Sequence, residues 1–214
     1  MAETCLVLPA GGTSSRMRLP YPKELLAVDE NTLLIDYSLM AAAKAGIDTA
    51  YIGLTYDKLR LVSGILGPNR QGVSLQYVLL EHGDGASDAS SALRCCRRAM
   101  LADKFRQFLI AAPDFIVPRL DMQMMLNMKC PSAMRSNQDG AVLLSLIDIQ
   151  TLTKLRRRLA SVDEDLPGIK KQGLLSKLVH DEIASTRLVW ETTSSDSGFH
   201  DVNTWADLKG VRVL

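Results

Sequence analysis

Histidine is scarce here, with three in 214 residues, so a metal site built mainly of imidazoles is excluded. Cysteine is limited to Cys5, Cys95, Cys96 and Cys130. None forms a CxxC pair, and no Cys/His group has zinc spacing. Reduced thiols and a cytoplasmic location are the expectation. No apolar run approaches the ~20 residues of a membrane span. No basic segment leads into a long apolar core at the N-terminus, so no secretory signal is expected. A surplus of one charge is missing too. The formal net charge is +1, which argues against bulk attraction to nucleic acid or to an anionic membrane. Any anion site must be local.

What is present is the balance of one globular domain: 47% hydrophobic and 23% charged residues. No repeat or low-complexity linker divides residues 1–214, and a smaller acceptor-side lobe is expected over about 121–191. Thr4–Ala10 reads as a buried first strand. Thr32–Ala45 has helical apolar spacing and ends at Gly46, where a helix-terminating glycine belongs. Strands at Thr49–Leu54, Val73–Leu80 and Phe105–Ala111 alternate with helices at Tyr56–Leu66 and Ala86–Ala102. That alternation predicts βαβ units in an α/β, three-layer, Rossmann-like fold with a mixed, mostly parallel sheet. Farther on, Gly140–Ile149 reads as a strand, Gln150–Ser161 and Leu174–Ile183 as helices, and Arg187–Thr192 as a strand. Asp196–Asp201 reads as a turn before a helix that starts at Thr204.

Ligands of open α/β sheets bind beyond the carboxyl ends of the strands. Two features share that edge by topology: the loop after the first strand, and Asp114 after the fourth. The loop reads LVLPAGGTSSRM and leads into PYPKELLAV. Gly11 and Gly12 can expose backbone N–H groups to phosphate, with Ala10, Ser14 and Ser15 beside them. Arg16 can grip an anion through its guanidinium fork, and Lys23 can act as a point charge. The plain alternative is a tight turn with solvated cations. The patterns GxxxxGK[ST] and GxGxxG are both absent.

LVLPAGGTSSRM…PKELLAV, followed by LLIDYSLMAAAKAGIDTAYIGL, resembles the opening of the nucleotidyltransferase (NTP-transferase) superfamily. That group includes sugar-1-phosphate nucleotidyltransferases and methylerythritol-phosphate cytidylyltransferase, and opens A-G-G-x-G-T-R-[LM]…P-K-x-L-L-x-[VI]. The interval from Arg16 to Lys23 is similar to the cytidylyltransferase branch. Ser14 departs from the usual glycine, and Ser15 from the usual threonine. YVLLEHGDGASDA resembles the base-binding segment, with Gly85 as the matching glycine and Leu80-Glu81 where a glutamine is usual.

The resemblance implies roles. Ala10, Gly11, Gly12, Ser14, Ser15 and Gly85 would bind the nucleotide. Arg16 and Lys23 would be catalytic, and Asp114 and Asp201 would hold Mg²⁺, a hard ion suited to carboxylates. The partners would be an NTP and a phosphorylated small-molecule acceptor, with a homodimer as a further expectation. A sugar-1-phosphate acceptor is the first choice. The alternatives are a cytidylyltransferase-like enzyme acting on a polyol phosphate, an aminoalkyl phosphate or a phosphonate, and a non-catalytic nucleotide-binding regulator. A glycosyltransferase would show a D-x-D beside the metal. The D-x-D of this chain, Asp163–Asp165, reads as a loop remote from the fourth strand.

Overall fold

The computed structural model describes residues 3–12, 17–80, 88–116, 119–135, 142–165, 191–192 and 200–201. The expectations at Ser14, Ser15, Arg16, Gly85, residues 174–183 and residues 204–208 lie outside the described residues.

The first strand, β1 (Glu3–Pro9), carries apolar residues on both faces, as a strand covered on both sides must. A single 3₁₀ turn at Lys23–Leu25 precedes α1 (Leu34–Lys44). Next come β2 (Thr49–Thr55), α2 (Tyr56–Leu66), the two-residue β3 (Asn69–Arg70) and β4 (Val73–Leu80). They are followed by α3 (Asp88–Met100), β5 (Phe105–Ala111), β6 (Phe115–Ile116) and α4 (Arg119–Leu126). The remaining described elements are β7 (Ser132–Arg135), β8 (Val142–Asp148), α5 (Ile149–Asp165), β9 (Glu191–Thr192) and β10 (His200–Asp201).

Eight of the described strands form one sheet in the order β3-β4-β2-β1-β5-β8-β7-β9. The stretch β4-β2-β1-β5 is parallel throughout. β8 runs antiparallel to β5 and to β7, while β9 is parallel to β7. The sheet is therefore mixed and mostly parallel, as its sequence pattern predicts. Alternate residues of β1 feed opposite layers. Leu6 and Leu8 join α1, α2 and α4 through Ile35, Leu39, Val62, Leu66, Met122 and Met125. Cys5 and Val7 join α3 and α5 through Ala92, Cys96, Leu152 and Leu155.

Helix ends follow local chemistry. Gly46 adopts φ +87°, which an L side chain resists. The Ile47 N–H then reaches the Ala42 carbonyl at 2.9 Å and the Gly46 N–H reaches Ala43 at 3.0 Å, closing α1 in a Schellman motif. At its other end, the Asp36 carboxylate accepts the Leu33 N–H at 2.8 Å. The same fully buried carboxylate receives the Arg70 Nε at 2.5 Å and Nη2 at 2.6 Å, tying α1 to β3.

Some expectations are corrected. The helix predicted from Gln150 begins at Ile149 and runs to Asp165, so Asp163–Asp165 closes a helix and is not a loop. Asp201 belongs to a strand, β10, and not to a turn. α4 and β7 are elements that the sequence pattern does not predict. The Met-rich segment supplies Met122 and Met125 to the core, one helical step apart on one face, and leaves Met124 exposed.

Cys5, Cys95 and Cys96 are buried together as free thiols. Burial pushes the Cys5 and Cys95 thiols from an ordinary 9.0 up to about 12, and Cys96 also well upward. They stay neutral and inert at pH 7. A thiol raised on folding contributes stability that is intact below pH 9.0 and is lost as pH climbs through the folded values. Denaturant midpoints should therefore fall steadily above pH 9, and a thiol reagent should titrate these three cysteines only after unfolding. Fast labelling of all three in the folded chain would contradict this.

Candidate active site

Strand order reverses at β1: its neighbour on one side, β2, follows it in the chain, and its neighbour on the other, β5, comes later. The loops that leave β1 and β5, adjacent parallel strands, therefore lie side by side at the carboxyl edge, where ligands of open α/β sheets bind. Among the described residues, Ala10, Gly11, Gly12, Lys23 and Asp114 lie at this edge.

Ala10 is held to the sheet by its N–H, which donates to the Gly53 carbonyl at 2.9 Å. Gly11 follows in close quarters. A Cβ added there would stand 2.7 Å from Leu80 Cδ1 and 3.3 Å from Ser91 Oγ. Glycine lets the chain turn away from β1 while β4 and α3 stay close. Gly12 is exposed and has open space around it. Leu80, standing where a glutamine is usual in the family pattern, is buried against this turn.

Lys23 opens the 3₁₀ turn, which a short hairpin supports from below. The Val28 N–H donates to the Thr32 carbonyl at 2.9 Å, and the Leu34 N–H to Leu26 at 2.8 Å. Met17, Leu26, Val28, Leu34 and Ile116 pack beneath. From this platform the Lys23 ammonium makes an ion pair with the Asp114 carboxylate, across 91 residues of chain. Both side chains are largely covered, at 17% and 14% exposure.

β10 brings in the chain near residue 200. It pairs antiparallel with β6, setting Asp201 opposite Phe115, the residue after Asp114. Of the two sequence-predicted metal ligands, Asp201 thus lies in β10, and Asp114 immediately precedes its partner strand β6. Magnesium takes oxygen ligands and needs only one or two protein carboxylates beside substrate phosphates and water. The donor set fits that ion. No group of three or more His, Cys, Asp or Glu side chains clusters among the described residues.

The structure adds two residues that sequence reasoning missed. Glu24 and Lys58 form an ion pair, Nζ to Oε1 at 3.1 Å, with both side chains buried. Lys58 also donates to the Ala10 carbonyl at 2.9 Å. Burial pushes the Glu24 carboxyl up; Lys58 opposes the rise, and the negative charge of Asp114 adds to it. Glu24 and Asp114 are thus electrostatic neighbours. The only sign in the sequence is that Glu24 adjoins Lys23.

Of the sequence-predicted residues, the structure brings Ala10, Gly11, Gly12, Lys23, Asp114 and the backbone of Asp201 to one edge of the sheet.

No family model matches the chain, and no curated protein matches it in sequence. Solved structures do match. A protein described as a glucose-1-phosphate thymidylyltransferase from Bacillus anthracis superposes with a TM-score of 0.74 at 16% identity, covering 98% of this chain and 94% of that one. The inositol-1-phosphate CTP transferase from T. maritima gives 0.72 at 13% identity, covering 99% and 94%. The CTP:phosphocholine cytidylyltransferase from Streptococcus pneumoniae gives 0.69 at 16% identity, covering 99% and 98%. At such identities the likeness speaks for architecture. The chain has, along nearly its whole length, the fold that these three nucleotidyltransferases share.

Proposed function

We propose that the chain is a Mg²⁺-dependent nucleotidyltransferase that joins an NTP to a phosphorylated acceptor and releases pyrophosphate. The observation that carries this reading is the Lys23–Asp114 pair at the switch point of the sheet, beside the Gly11-Gly12 turn. One cation and one carboxylate held together there suit a substrate that brings both phosphate and metal.

An acceptor phosphate oxygen is already anionic at neutral pH, so the reaction needs no general base. That oxygen attacks the α-phosphorus in line. A new P–O bond forms, the bond from the α-phosphorus to the bridging oxygen breaks, and pyrophosphate leaves with the electron pair. The protein's share is positioning and charge neutralisation. Backbone N–H groups at Gly11 and Gly12 receive the triphosphate, with Ala10, Ser14 and Ser15 beside them. By the family resemblance, Gly85 would contact the base. Arg16 neutralises the departing pyrophosphate. Lys23 exchanges Asp114 for the α-phosphate and the acceptor phosphate. Asp114 and Asp201 would hold Mg²⁺, which supplies Lewis acidity and a template for the triphosphate when bound.

The acceptor is a sugar-1-phosphate in the first reading, and the product then an NDP-sugar. A second reading, cytidyl transfer to a polyol or aminoalkyl phosphate, is supported by the short Arg16-to-Lys23 interval. Two of the structural neighbours also carry names of that kind.

The test is pyrophosphate release with Mg²⁺, pairing each NTP with a panel of sugar-1-phosphates, polyol phosphates and phosphonates. Release with one pair, lost on adding EDTA, is the expected result and names both substrates. NTP binding without release for any pair would make the chain a nucleotide-binding regulator instead.

A further inference from the structure

We propose that Lys58 is a positioning residue for this site, locking the exit of β1 and the Lys23 turn into one rigid unit. The inference rests on the nucleotidyl-transfer reading of the site and adds a residue outside the phosphate and metal machinery.

Lys58 lies in the first turn of α2 and is 6% exposed. An ammonium offers three N–H donors and accepts nothing. Here it spends them on two different segments. One donor goes to the Ala10 carbonyl at 2.9 Å, and the others face Glu24 Oε1 and Oε2 at 3.1 and 3.4 Å. Ala10 is the last residue before the two glycines. Glu24 is the middle residue of the 3₁₀ turn that Lys23 opens. Ala10 is therefore gripped from both sides, its N–H by Gly53 of β2 and its carbonyl by Lys58. Through Glu24, the same ammonium fixes the turn that aims Lys23 at Asp114.

Stability alone does not account for the pair. A buried ion pair of this kind is often replaceable by apolar side chains at little or no cost. Its geometry is what an apolar pair cannot supply: a directional link from the anion-binding turn to the lysine turn, across a gap that no backbone hydrogen bond among the described residues closes. There is also an electrostatic part. Glu24 and Asp114 are close enough to influence each other. With its charge met by Lys58, Glu24 does not compete with Asp114 for the Lys23 ammonium. A displacement near 1 Å at a reacting group lowers rates about 10²-fold, so small slack between these two turns matters.

The experiment compares the wild-type chain with the Lys58→Met/Glu24→Gln double variant, which removes the link without stranding a buried charge, and with Lys58→Arg, which keeps charge and donors. Two readouts are taken: hydrogen exchange of the hydrogen-bonded backbone N–H groups of Ala10, Leu25 and Leu26, and kcat and KM for the best NTP–acceptor pair. The double variant should stay folded, exchange faster at those N–H groups and not along β4, and lose about 10²-fold in kcat with KM for the NTP little changed. Lys58→Arg should keep slow exchange and recover most of kcat. A folded double variant with unchanged exchange overturns the proposal, whatever its rate. Faster exchange with wild-type kcat overturns it too, because the link then serves only the core. If the wild-type chain releases no pyrophosphate with any pair, the transfer reading falls. Exchange still decides whether Lys58 joins the two turns, unchanged exchange overturning that and faster exchange upholding it.

Discussion

Replacing Lys23 with alanine is expected to lower pyrophosphate release by about 10³-fold while leaving the fold intact, and Asp114→Ala should do the same. The magnitude follows from what one preorganised charge contributes at a reacting centre, roughly 4 kcal/mol at most. The fold should survive because neither side chain is fully buried, at 17% and 14% exposure, so water can solvate the charge left behind and the cost stays below the roughly 3–5 kcal/mol of breaking a fully buried pair. The two variants should part in their metal response. Asp114→Ala removes a proposed Mg²⁺ ligand and should need a higher Mg²⁺ concentration for half-maximal residual rate. Lys23→Ala removes a phosphate partner and should not. Steady-state rates across a Mg²⁺ titration, beside thermal melts of the same preparations, make the comparison. Wild-type rates in both purified variants would remove the site from this edge of the sheet.

The second large effect is on stability and lies away from the site. Arg70→Met should destabilise the protein by about 3 kcal/mol, because it leaves the Asp36 carboxylate buried and uncompensated. The Arg70 side chain is 22% exposed, so water can partly reach the vacated position, which argues for the lower end of the usual range. Asp36→Asn added to Arg70→Met should recover most of the loss. The lost charge balance, and not the missing contact, is then the dominant cost. Denaturant midpoints at constant slope are the measurement. An Arg70→Met variant as stable as the wild-type chain would show that the ion pair does not hold α1 to β3.

How much of this could be read from residues alone depends on where the stabilising contacts lie. β1, β2 and β5 were legible because a strand buried on both faces is an apolar run, and runs such as CLVL and FLIA are local facts; β4 was legible as the β-prone run VSLQYVLL, although it is only partly buried. α1 was legible through its apolar spacing and Gly46. β3, β6 and β10 have two residues each, too few to show a period. They exist because distant chain meets them, as Asp201 meets Phe115. That is why Asp201 reads as a turn residue in sequence and lies in a strand in the structure. α4 was hidden by methionine, a flexible side chain that fills a core without marking a secondary structure.

In the site, Lys23 and Asp114 were legible from family resemblance, and their meeting from topology. Glu24 and Lys58 were not. A charged residue in the first turn of a helix ordinarily faces water. Nothing local signals that this lysine is instead folded inward onto Ala10.

The place of β1 in the sheet also bears on how the chain is made. β1 is a central strand, yet its second neighbour, β5, begins at Phe105. During synthesis, at roughly 5–20 residues per second, β1 therefore spends on the order of ten seconds as the outermost strand of a growing sheet. Throughout that interval one side of an apolar strand offers unpaired N–H and C=O groups to any passing chain. The strand that carries the glycine turn is the one most open to mispairing on the ribosome, and slowed translation between β1 and β5 should lower the yield of folded protein more than the same delay placed after β5.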